Sequence, residues 1–76
     1  MKKYDLVKVV DFYRDDKDKK YTEIGNELIG ELAMVTNIDT KNVDYQIEIR
    51  FFDTELQELA ISHGFDCWDE SELEVI

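Results

Sequence analysis

The sequence predicts a small, mainly β domain: a strongly twisted antiparallel barrel of about five strands, with one short helical insertion around residues 54–63. Three features lead there. Residues 45–52 alternate with period two, with Tyr45, Ile47, Ile49 and Phe51 on one face and Gln46, Glu48, Arg50 and Phe52 on the other. Short β-rich runs stand near both ends of the chain, at Leu6–Tyr13 and Leu73–Ile76. Between Asp53 and Gly64 the apolar residues change to helical spacing.

Taken in order, Leu6 to Tyr13 is rich in β-branched and aromatic residues and reads as a strand, with Val7 and Val9 on one face. Arg14 to Lys20 has no apolar residue, so it reads as a solvated loop, most mobile and most tolerant of shortening at Asp15–Lys20. A calcium loop there fails, because Lys20 and Tyr21 occupy the positions of a ligand and of the turn glycine. Gly25 and Gly30 bracket Asn26–Ile29, and Gly30 before a β-rich run to Ile38 marks a sharp bend at a strand start. Asp39–Asn42 reads as a turn and Tyr45–Asp53 as the clearest strand, with Phe52 breaking its polar face.

In the insertion, Leu56, Leu59, Ala60 and His63 share a helical face. Asp53 or Thr54 caps its start, Thr54 with Gln57 resembles a capping box, and Gly64 stands where a left-handed residue ends a helix. The same stretch also reads as a strand through Leu59 and Ile61 turning at His63–Gly64; the helix fits better. Trp68 offers the largest single buried area. In the last segment Leu73 and Val75 alternate with Glu72 and Glu74, so a closing strand with a solvated acidic face is expected. The expected core is Val7, Val9, Ala33, Val35, Ile47, Ile49, Phe51, Trp68 and Leu73.

The 76 residues make a single domain, 1–76. A chain this short buries only about 60% of its unfolded surface, which leaves little room for a deep substrate pocket. The net charge is −10, unevenly spread: residues 1–20 sum to +2 and residues 21–76 to −12, with Lys41 and Arg50 the only cations of the latter. Direct binding to a nucleic-acid backbone is therefore opposed. The acidity keeps the chain soluble, and it also suits a protein partner with a basic surface. Cys67 is the single cysteine, so no internal disulfide forms and a cytoplasmic location is expected. Met1 to Asp5 meets charge before any long apolar run, unlike a secretory signal, and no stretch approaches the roughly 20 apolar residues of a membrane span.

Chemistry-bearing patterns are sparse. His63 and Cys67 are the only histidine and cysteine, four apart across an expected helix end, without a third orienting group. They supply two of the several ligands that zinc needs. The glycines lack the spacing and the lysine of a phosphate loop. Asp66, Asp69, Glu70, Glu72 and Glu74 crowd a turn and an outer strand face, where acid–base catalysis finds no cleft. No catalytic residue, cofactor or metal is expected, and the chain reads as a non-enzyme.

The order of elements resembles the small Src-homology-3-like (SH3-like) barrels, especially the compact ones of bacteria and their phages. Three pieces carry the likeness: Asp5-Leu6-Val7-Lys8-Val9-Val10, like their opening strand; Gly30-Glu31-Leu32-Ala33-Met34-Val35-Thr36-Asn37-Ile38; and Trp68 followed by Ser71-Glu72-Leu73-Glu74-Val75-Ile76, like their single-turn helix and last strand. The peptide-binding members carry an Ala-Leu-Tyr-Asp-Tyr-like motif and paired tryptophans. Neither is present here, so proline-rich peptide recognition is not implied. The stretch from Asp53 to Gly64 is also longer than the hairpin usual at that point. Small barrels host many roles, so the likeness implies a fold more than a function. Two functional classes fit: a non-catalytic acidic protein-interaction module, for which the likeness suggests a phage or prophage origin, and an acidic nucleic-acid mimic that inhibits a DNA-binding or host-defence protein. For either, the expected partner-binding residues are Phe52, Asp66, Asp69, Glu70, Glu72 and Glu74.

Overall fold

The computed structural model describes residues 1–12, 19–41 and 44–76, and of residues 19–21 the backbone alone. The chain runs β1 (Leu6–Val9), α1 (Lys19–Glu27), β2 (Leu32–Ile38), β3 (Ile47–Phe51), α2 (Thr54–Ser62), β4 (Cys67–Trp68), a 3-10 turn (Glu70–Glu72) and β5 (Leu73–Val75). The five strands form one sheet in the order β4-β3-β2-β1-β5, and every neighbouring pair is antiparallel. The mainly β class is as the sequence predicts. The loop expected at Asp15–Lys20 falls outside the described residues, except that Lys19 and Lys20 open α1. Asn42 of the expected turn also falls outside them.

Register explains the core. Val7 lies opposite Ala33, and Ala33 opposite Phe51. Val35 faces Ile49, Val9 faces Leu73 and Ile47 faces Trp68. Directly opposed residues project from the same side of a sheet, so these side chains share one face. All nine of the residues expected in the core are buried. Trp68 sits at its centre: its indole N–H donates to the Phe65 carbonyl at 2.8 Å, and its ring meets Phe12, Phe51 and Phe65 at centroid distances of 5.9, 6.3 and 6.4 Å.

Local expectations change at β1, Gly25, Tyr45 and Glu72. β1 ends at Val9 instead of reaching Tyr13, because the N–H groups of Val10 and Asp11 both turn to the Glu72 carbonyl and Phe12 swings into the core. Gly25 lies inside α1, a helix the sequence pattern did not announce. Ile24 and Leu28, four apart, fill the core from this segment, and a β-carbon on Gly25 would collide with the Phe12 ring. Tyr45 leaves the inner face: it is exposed at φ 54°, and its N–H donates to Asp69 Oδ1 at 2.8 Å. Glu72, expected on a solvated face, is 0% exposed.

Gly30 behaves as predicted. It adopts φ 92°, and its N–H reaches the Val9 carbonyl at 2.7 Å, which pins the start of β2 against β1. The insertion is helical. Asp53 caps α2 by accepting the Glu55 and Leu56 N–H groups at 2.9 and 3.1 Å, and no Thr54–Gln57 box forms because Gln57 turns inward. At its far end Gly64 takes φ 75°, while the N–H groups of Gly64 and Phe65 bond the carbonyls of Ile61 and Ala60, which closes a Schellman motif.

Candidate functional site

α2 lies beside β3, tied there by a buried bond in which Gln57 Oε1 accepts the Phe51 N–H at 2.8 Å. Between the helix and the outer side of β2 and β3 runs a groove of about 410 Å³. Its apolar walls are Met34, Phe52 and Ile61, with Thr36, Arg50 and Glu58 among the polar residues that line it. A second hollow of about 260 Å³ shares Thr36, Arg50, Gln57 and Ile61 with the first and extends it to Glu48 and Asp66. Thr36 occupies the point where the β2–β3 register slips, and its hydroxyl donates to Glu48 Oε1 at 2.9 Å. Bulges of this kind commonly re-aim a side chain.

The groove combines apolar walls with a rim of Glu48, Glu58 and Asp66 against Arg50, its one cation among the described residues. A partner segment carrying an apolar anchor and basic side chains matches that combination. Of the six residues expected to bind a partner, the structure brings Phe52 and Asp66 to this one groove. Asp69 is half-buried and occupied with the Tyr45 N–H; Glu70 is exposed on the 3-10 turn beside it. Glu74 is exposed on β5, directly opposite Lys8 of β1. Glu72 leaves the set. It lies inside the fold, where its carboxylate accepts the Asp69 N–H at 3.0 Å and ties the 3-10 turn together.

Sequence reasoning missed Met34, Thr36, Glu48, Arg50, Glu58 and Ile61 as groove residues. The available signals were Phe52 on an otherwise polar strand face and Arg50, one of two cations in residues 21–76. Neither places α2 against β3.

His63 is the C-cap residue of α2, where the sequence placed it. Its Nδ1 lies 2.9 Å from the Leu59 carbonyl and 3.0 Å from the Ser62 hydroxyl, and its ring stacks on Phe65 with an interplanar angle of 15°. Cys67 is half-buried on β4, opposite Glu48. Among the described residues, no three His, Cys, Asp or Glu side chains gather as a metal ion would require. None of their helices is long and apolar enough to cross a membrane.

Comparison of the chain with protein-family models, with curated proteins and with solved structures gave no match.

Proposed function

We propose that this chain is a non-catalytic protein-interaction module built on an SH3-like barrel, and that the groove between β3 and α2 receives a segment of a protein partner with a basic surface. The observation that carries the reading is the pairing of apolar walls at Met34, Phe52 and Ile61 with an acidic rim at Glu48, Glu58 and Asp66. The module works in the cytoplasm, without cofactor, metal or direct nucleic-acid contact, and belongs with the small barrels of bacteria and their phages.

Support for the barrel comes from the connection between the outer strands. β4 and β5 lie at opposite ends of the sheet order, yet only residues 69–72 separate them. A flat sheet would hold these strands about 19 Å apart. A link containing a 3-10 turn, which rises about 2 Å per residue, falls short of that span. The sheet therefore curls, as a barrel demands.

The test is titration with two lysine-rich peptides of equal charge, one with leucine anchors and one with serine in their place, followed residue by residue by NMR. The expected result is tighter binding of the leucine peptide, with shifts at Phe52, Ile61 and Asp66. Equal weak binding of both, with shifts scattered over the acidic surface, sinks the groove. The charge of −12 over residues 21–76 favours a second reading, an acidic nucleic-acid mimic that blocks a DNA-binding or host-defence protein. That reading predicts competition with DNA for the partner and a steep loss of affinity with salt, since such a partner's site is built for a polyanion.

A further inference from the structure

We propose that Arg50 is the residue by which the groove selects its partner segment, taking a side-chain carboxylate that stands between the segment's apolar anchor and its basic side chains. This rests on the reading of the groove as a partner site. The two hollows share Thr36, Arg50, Gln57 and Ile61, so Arg50 stands where they meet. Met34 and Phe52 line the first hollow alone, edged by Glu58 of α2. Glu48 and Asp66 line the second alone. The cation therefore separates an apolar end from an acidic one.

Arg50 is also free to take a ligand. With three acids on the same rim, an ion pair within the fold would be the ordinary outcome. Instead Arg50 is exposed, and among the described residues no hydrogen bond or ion pair holds its side chain. Glu48 is engaged elsewhere: its Oε1 accepts the Thr36 hydroxyl at 2.9 Å, at the point where the β2–β3 register slips. The guanidinium keeps a planar fork of N–H donors that matches a carboxylate. A lysine at this point of the segment would meet it as a like charge, and the groove would reject that sequence. The carboxylate belongs to a side chain and not to a chain end, because a segment that fills both hollows runs on past Arg50 in both directions. A wholly basic surface satisfies the rim; a basic segment with one acid beside its apolar anchor satisfies the rim and Arg50 together.

The test is calorimetric titration of the whole chain with amidated peptides in a serine frame, carrying leucine, a variable residue and two lysines in that order. With glutamate at the variable position, binding should be at least about fivefold tighter than with glutamine. Net charge pulls the other way, since the glutamate peptide is the less basic of the two and the protein carries −10. Moving the glutamate beyond the lysines should lose the gain. Arg50→Gln should abolish the preference, and Arg50→Glu should turn it toward lysine at the variable position. Arg50 is exposed and unpartnered, so both variants should keep the native unfolding midpoint; should Arg50→Glu unfold, Arg50→Gln and the peptide series still decide. Native protein that binds the glutamine peptide as tightly as the glutamate one, or a preference that survives Arg50→Gln, overturns the proposal. Replacing leucine by serine separates the two readings. Leucine-dependent binding without a glutamate preference overturns the role of Arg50 alone, whereas binding indifferent to leucine overturns the groove and this inference with it.

Discussion

Gln57 and Phe51 are joined by a side-chain-to-backbone hydrogen bond of 2.8 Å in a buried setting, and this bond docks α2 on β3. Among the described residues, β4 pairs with β3 only at Ile47 and Glu48, and no strand lies beside the edge of β3 beyond its bond to the Asp66 carbonyl. The Gln57 amide supplies the missing acceptor. Gln57→Met keeps similar volume and leaves the Phe51 N–H unsatisfied, so it should destabilise the fold by about 1–3 kcal/mol. Urea unfolding measures this, and a loss below about 0.5 kcal/mol would mean that water replaces the amide at no penalty. Because Gln57 also lines both parts of the groove, the same variant should weaken binding of the leucine-anchored peptide.

Gly25 illustrates close packing overriding local propensity. Glycine in a helix is ordinarily about 1 kcal/mol worse than alanine. Here a β-carbon would meet the Phe12 ring, which is itself held edge-on to Phe65 at 5.3 Å. Gly25→Ala should therefore destabilise by about 1–3 kcal/mol despite the better helix residue. Phe12→Leu should reduce that penalty in the double variant, since the collision is with the ring. Additive effects in a double-mutant cycle would show that the two residues do not meet.

Glu72 and Glu74, two apart on the same acidic stretch, should behave in opposite ways. Glu74 is exposed, so Glu74→Lys should leave the unfolding midpoint nearly unchanged. Glu72 is buried, and its carboxylate holds the Asp69 N–H at the start of the 3-10 turn. Glu72→Lys should leave the chain largely unfolded at room temperature, by circular dichroism, because an unmatched charge would be buried. Glu72→Gln keeps an acceptor and should fold. Equal midpoints for the two lysine variants would place Glu72 at the surface.

The difference between these glutamates shows where the sequence was legible. Alternation identified the inner faces of β1, β2 and β3, because a half-buried strand writes its burial into every second residue. Helical spacing and Gly64 identified α2 for the same local reason. Glu72 was misread because the alternation of Leu73 and Val75 was extended one residue too far, into a turn where period two does not hold. α1 escaped because, among the described residues, this segment gives the core Ile24 and, just past the helix, Leu28, and Gly25 beside them reads as a breaker. The groove was invisible for a different reason: it exists between elements. Phe52 and Asp66 were selectable as an odd aromatic and an exposed acid. Arg50 and Ile61 join them only through the docking of α2 on β3, which rests on the inward turn of one polar residue, Gln57.

Charge reversal at the rim separates steering from anchoring in partner binding. Glu58 and Asp66 are exposed on opposite parts of the groove, while Phe52 forms its apolar wall. Glu58→Lys with Asp66→Lys should slow association of the leucine-anchored lysine peptide by about tenfold or more at low salt, because long-range attraction acts before contact. That loss should shrink as salt rises toward physiological strength, where charges more than about 8 Å apart are screened. Phe52→Ala should instead speed dissociation and leave association nearly unchanged, since the aromatic acts only once the partner is seated. Stopped-flow binding at two salt concentrations measures both rates. An association rate unmoved by the double reversal would remove the acidic rim from the mechanism, and an unchanged dissociation rate in Phe52→Ala would remove the groove.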